Sequence, residues 1–107
     1  MKLVFKDQML VDLYEGKKVK DKRFQSNPQL KKQYQKTVTR LRNITRIEQL
    51  YQIKSLHYEK KTGDLAGKSA VWINRQYRLI FQEVPSESEP AVIEVLELEK
   101  ISKHYED

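Results

Sequence analysis

The side chains able to do chemistry crowd into the middle and end of this chain. His57, Tyr58, Lys60, Lys61, Lys68, Trp72, Arg75, Tyr77 and Arg78 fall close together, and His104 and Tyr105 follow near the C-terminus. Cations mixed with aromatics suit a polyanion whose bases can be splayed out. RNA needs no metal to be cut. Its 2′-OH attacks the adjacent phosphate, a base removes that proton, and an acid protonates the leaving 5′-oxygen. His, Lys, Tyr or Glu can carry those protons, each transfer contributing about 10²–10⁴-fold. Arginine grips phosphate oxygens two at a time, and aromatic faces stack on unpaired bases. On this inventory Lys60, Lys61, Lys68 and Arg75 are candidate phosphate contacts, with Trp72 and Tyr77 as candidate base-stacking surfaces. Both aromatics also suit simple packing. Arg78 interrupts an apolar run, which is costly unless its side chain is exposed on one face or paired.

Other chemistries find little support. There is no glycine-rich phosphate loop, no serine-centred nucleophile motif and no pair of metal-binding carboxylates. Glu94 and Glu97 have odd spacing, so on a strand they point to opposite faces, toward solvent or an ion pair with basic helices. With no cysteine, neither a disulfide nor a thiolate zinc site can form. Two histidines are too few for a histidine metal site, so no metal and no cofactor are expected. The sequence shows no apolar run long enough to span a bilayer and no signal peptide, so a cytoplasmic protein is expected.

Charge points the same way as the cluster. Residues 1–54 carry 14 Lys/Arg against 5 Asp/Glu, and residues 55–107 carry 7 against 10. Most acids of the second part lie between Glu83 and Glu99. A basic surface of this size draws in nucleic acid by counterion release.

The elements that must position these groups are legible in outline. A length of 107 residues sets the expectation of one domain over 1–107. Lys2-Leu3-Val4-Phe5 reads as a strand. Asp7 can cap a helix through Tyr14 that Gly16 stops, and residues 17–26 read as a basic connector. Asn27-Pro28 opens an amphipathic helix on which Leu30, Tyr34, Val38 and Leu41 share a face. Thr45-Arg46-Ile47-Glu48 matches a capping box ahead of a short helix burying Ile47 and Leu50. Residues 54–67 are irregular, with Gly63 and Gly67 marking turns. Ala70–Ile73, Tyr77–Phe81 and Ala91–Leu98 read as strands, separated by a turn at Asn74-Arg75-Gln76 and by the polar segment 85–90. Residues 100–105 suggest a terminal helical turn. The expected class is α+β, an antiparallel sheet of the N-terminal strand plus a three-strand meander, packed against the N-terminal helices.

The runs Leu56-His57-Tyr58-Glu59-Lys60-Lys61 and Val71-Trp72-Ile73-Asn74-Arg75-Gln76-Tyr77-Arg78-Leu79-Ile80-Phe81, with Gly67 between them, resemble the RelE/ParE superfamily of bacterial toxins, nearest its HigB branch. Ile73-Asn74 and the aromatic–Arg–aliphatic–x–Phe strand Tyr77–Phe81 carry the match, which covers about a quarter of the chain at full strength. The resemblance implies a small RelE-like fold and a metal-independent mRNA endoribonuclease acting in the ribosomal A site. It also implies neutralisation by a helix-turn-helix antitoxin of the HigA type, with operator DNA reached only through that antitoxin. By position, it implies that Arg78 contacts the scissile phosphate and that His57 transfers a proton. His104 and Tyr105 are candidates for completing the site from the tail. The chain departs from the pattern where Trp72 replaces a strand arginine and where Leu65 and Ala66 stand in a loop that is usually basic; Arg75 or Lys68 are the candidates for the missing charge.

On this reading Arg78→Ala abolishes activity and leaves the fold intact. A second reading is a ParE-type toxin, which shares the fold, poisons DNA gyrase and cuts nothing. A third is an RNA-binding host factor with no toxic role.

Overall fold

A computed structural model describes residues 1–103. The first strand, β1 (Lys2–Phe5), leads into helix α1 (Gln8–Tyr14), whose N-terminus is capped by Asp7 accepting from the Met9 amide at 2.9 Å. Helix α2 (Lys22–Gln25) is short, and α3 (Pro28–Asn43) is the principal helix. Three 3-10 turns follow at Ile47–Gln52, Lys54–Leu56 and Gly63–Leu65, with a two-residue strand, β2 (Glu59–Lys60), before the last of them. Strands β3 (Ser69–Trp72), β4 (Tyr77–Pro85) and β5 (Ile93–Lys103) then form the antiparallel meander.

The five strands lie in the order β1-β5-β4-β3-β2. The class and the helix-on-sheet arrangement are as expected, with one refinement. β1 joins the sheet parallel to β5, with Leu3 opposite Leu96, because the chain crosses over through the helical layer before it returns.

One face of the sheet packs the helices. Leu30, Tyr34, Val38 and Leu41 of α3 meet Val71, Leu79, Phe81, Leu96 and Leu98, and Leu10 and Leu13 of α1 close the same core. Burying a side chain of this size contributes about 1.5–3 kcal/mol, so this face dominates the stability. The Tyr34 hydroxyl donates to the Leu10 carbonyl at 2.7 Å, joining α3 to α1 where no water reaches.

Three local expectations need correction. The basic connector contains α2, whose cap, Asp21, accepts from the Arg23 amide at 2.9 Å. The capping box is displaced by one residue, with Gln49 in place of Glu48, and its Oε1 accepts from the amides of Thr45 and Arg46. The expected helical turn after residue 99 is strand, because β5 continues to Lys103 opposite Tyr77. A bulge at Glu99 explains that reading. It spaces Leu98 and Ile101 three apart on the core side, which imitates a helical period.

Candidate functional site

Strand alternation turns Trp72, Arg78 and Ser102 to the face away from α3. The register sets Trp72 directly opposite Arg78, and Arg78 opposite Ser102. The Arg78 guanidinium carbon lies 4.2 Å from the centre of the Trp72 ring. Arg78 is only 2 % exposed. Its Nη1 donates to the carbonyls of Asn74 at 2.9 Å, Arg75 at 3.1 Å and Tyr77 at 3.3 Å. A buried arginine is tolerated here because the β3–β4 turn aims its carbonyls at the charge.

That turn is built by Asn74. Its side-chain oxygen accepts from the amides of Gln76 at 2.8 Å and Tyr77 at 2.9 Å, and its Nδ2 donates to Gln33 of α3 at 2.9 Å. Thr37 of α3 donates to the Trp72 carbonyl at 3.3 Å. Helix α3 therefore fixes both the turn and the strand end that carry the cluster.

His57 reaches the cluster from far away in sequence. Its ring stacks on Trp72 with centroids 3.6 Å apart and planes 20° from parallel. Its backbone is left-handed (φ 45°, ψ 46°), the one positive-φ residue other than glycine among those described. The neighbours explain why. Leu56 is a buried core residue, and Tyr58 stacks on Phe81 at 6.3 Å and donates a hydrogen bond to the Glu83 carboxylate. A single residue between two anchored ones is forced to the other side, at a cost of about 1–2 kcal/mol for an L-residue. Such strain accumulates where function needs a fixed geometry.

Glu83 is the residue that sequence reasoning missed. It follows Tyr77, Leu79 and Phe81 in steps of two, so it falls on the core-facing side of β4, and that spacing is a signal the sequence does contain. Its side chain is 7 % exposed, and it accepts from Tyr58 and Ser69 and pairs with Lys60 at 3.4 Å. Burial first, and then the Glu83 carboxylate, push the Tyr58 phenol above the ordinary tyrosine range.

The remaining candidates scatter in role. Tyr77 is a core residue, 7 % exposed, so it offers no face to a base; its ring lies 5.7 Å from the Arg23 guanidinium. Trp72 is half-buried and already in contact with an imidazole and a guanidinium. The lysines expected to meet phosphate all have carboxylate partners: Lys60 with Glu83, Lys61 with Glu59 at 3.1 Å, and Lys68 with Glu99 at 2.7 Å. The sequence places acids and bases near each other, but only the strand register pairs Lys68 with Glu99. Arg75 is exposed at the hairpin tip, and its side chain makes no ion pair or hydrogen bond among the described residues. His104 and Tyr105 lie outside the described residues. Among the described residues no group of histidine and carboxylate side chains is arranged to hold a metal, and no helix is long and apolar enough to cross a membrane.

Arg23 is a further addition. It pairs with Asp21 at 2.7 Å and donates to the Ile101 carbonyl at 2.9 Å, tying α2 to the end of β5. Its signal, an arginine two residues past a capping aspartate, is lost among the lysines around it.

No protein-family model matches this sequence, and no curated protein does. A solved structure does. The YoeB/ParE toxin from Agrobacterium tumefaciens aligns over 98% of this chain and 100% of its own, at 22% identity and a TM-score of 0.52. At that identity the likeness is one of fold: this chain is built on the α+β architecture of that toxin.

Proposed function

We propose that this protein is the toxin of a toxin–antitoxin pair, and that it cleaves mRNA on the ribosome without a metal. The observation that carries this reading is the convergence of His57, Trp72 and Arg78. Three residue types that RNA cleavage uses come from separate segments, one of them held in a strained backbone conformation, and meet on one face. The fold likeness to a YoeB/ParE toxin and the motif Tyr77–Phe81 support it independently.

In this reading His57 moves a proton at the 2′-OH or the leaving 5′-oxygen. Its stack on Trp72 fixes the ring, so its nitrogens are presented in one orientation. Arg78 supplies fixed positive charge beneath the reacting phosphate, where low dielectric makes that charge count. Arg75, at the exposed hairpin tip, grips an adjacent phosphate. Lys60, Lys61 and Lys68 contribute to the surface potential more weakly than their number suggests, because each faces a glutamate. His104 and Tyr105 complete the site from the C-terminal tail. A helix-turn-helix antitoxin of the HigA type neutralises the protein in a hetero-oligomeric complex, and operator DNA is contacted only through it.

Induced expression followed by primer extension on abundant mRNAs tests the reading. New 5′ ends within seconds to minutes of induction, lost in His57→Gln, are the expected result. Intact mRNA together with a DNA-damage response would sink it in favour of gyrase poisoning. Intact mRNA with normal growth would favour a non-toxic RNA-binding factor.

A further inference from the structure

An unpaired base needs an open aromatic face, and neither Tyr77 nor Trp72 has one to give. Tyr77 is buried in the core. Trp72 is covered on both sides. The His57 ring, with centroids 3.6 Å apart and planes 20° from parallel, fills one face of the indole. The Arg78 guanidinium, 4.2 Å from the ring centre, therefore lies against the other. Arg78, Trp72 and His57 form a column of flat groups that starts at a buried arginine and ends at an exposed histidine.

The far face of His57 is open. Among the described residues Trp72 is the one ring that touches it, and its side chain makes no hydrogen bond or ion pair. Two exposed cations flank the column where the phosphates of a bound chain would run. Arg75 stands at the hairpin tip just beyond Trp72. Lys100 lies on the same sheet face as Ser102 and has no ion pair among the described residues.

We infer that the open face of His57 receives an unpaired base of the RNA chain and sets a preference for a purine at that position. The inference rests on the RNA substrate of the proposed function and adds a specificity to it. A stacked base extends the column by one layer, and a purine covers more of the imidazole than a pyrimidine does. A duplex fits poorly, because its bases are already stacked on each other and paired. Stacking engages the faces of the imidazole, whereas its nitrogens lie on the edge. The same ring therefore keeps a nitrogen for the ribose or phosphate next to the stacked base.

The test uses the full-length protein and 2′-O-methyl RNA chains of about six nucleotides, which cannot be cut because the attacking hydroxyl is blocked. One chain is all uridine and the other carries a single central adenine. Wild type should bind the adenine chain at least about threefold more tightly by fluorescence anisotropy. The carbon-bound protons of the His57 imidazole should move upfield on binding it, as protons over a base ring do. His57→Leu keeps the indole covered but offers no flat face, so the two affinities should come within about 1.5-fold. His57→Phe keeps a flat face and should retain the preference. Equal affinity of wild type for the two chains, imidazole protons that do not move, or an undiminished preference in His57→Leu would each overturn the inference; the proton shifts of wild type decide it where a variant fails to fold. Primer extension on the wild type separates this inference from the nuclease reading. Cleaved mRNA with equal affinities would remove the inference alone, and intact mRNA with a purine preference and moving imidazole protons would remove the nuclease reading alone.

Discussion

Replacing Arg78 with alanine probes the centre of the candidate site and also corrects an expectation. The sequence suggests that this change removes activity and spares the fold. In the structure Arg78 is 2 % exposed and its Nη1 faces three turn carbonyls. One nitrogen has two hydrogens, so these contacts amount to about two charge-assisted bonds, each contributing about 1.5–3 kcal/mol. The contact with Trp72 at 4.2 Å adds about 1–2 kcal/mol where water is excluded. Removing a buried charge recovers part of its desolvation cost, which leaves a net loss of about 3 kcal/mol. A domain of this size loses about 4–8 °C of Tm per kcal/mol, so Arg78→Ala should melt roughly 12–24 °C lower. Arg78→Lys keeps the charge and should lose only about 1–2 kcal/mol, because the ammonium cannot satisfy the planar contact. Thermal unfolding followed by circular dichroism measures both, and primer extension on the folded Lys variant then separates chemistry from stability. We expect cleavage to fall at least about tenfold in Arg78→Lys. An alanine variant melting within about 3 °C of the wild type would refute the argument that the turn is built on this guanidinium.

Two further predictions follow from neighbouring contacts. Trp72 is the sole tryptophan and His57 is stacked on it, so His57→Ala should leave the indole more open to collisional quenching by acrylamide. An unchanged quenching constant would show that the imidazole does not cover the indole. Tyr34 and Tyr58 are both held above the ordinary tyrosine pKa of 10.0, Tyr34 chiefly by burial and Tyr58 by burial and Glu83. The folded state therefore keeps their protons after the unfolded chain has lost them. Their stabilisation is complete below about pH 10 and declines as pH rises toward the folded-state values. Ultraviolet titration should show at least two tyrosines resisting ionisation until unfolding, and Tyr58→Phe should flatten the alkaline loss of stability. A Tyr58→Phe chain as alkali-sensitive as the wild type would show that this phenol is not the one linked to folding.

What was legible in the sequence was whatever rests on short-range pattern. The Asp7 and Asn27-Pro28 caps, the α3 stripe of Leu30, Tyr34, Val38 and Leu41, the Asn74 turn and the α+β class are set by neighbours within a few residues, and all are present. Tertiary structure decided whatever depends on which distant chains meet. The bulge at Glu99 hid the length of β5, because an extra residue breaks the two-residue period that marks a strand. Partners across the sheet turned Lys60 and Lys68 from candidate phosphate contacts into halves of ion pairs. Tyr77 and Arg78 are adjacent in sequence, yet alternation sends one into the core and the other to the opposite face. His57 shows the division most clearly: its place in the Leu56-His57-Tyr58 step is a matter of sequence, but its stack on Trp72 exists only because Leu56, Phe81 and Glu83 hold its neighbours.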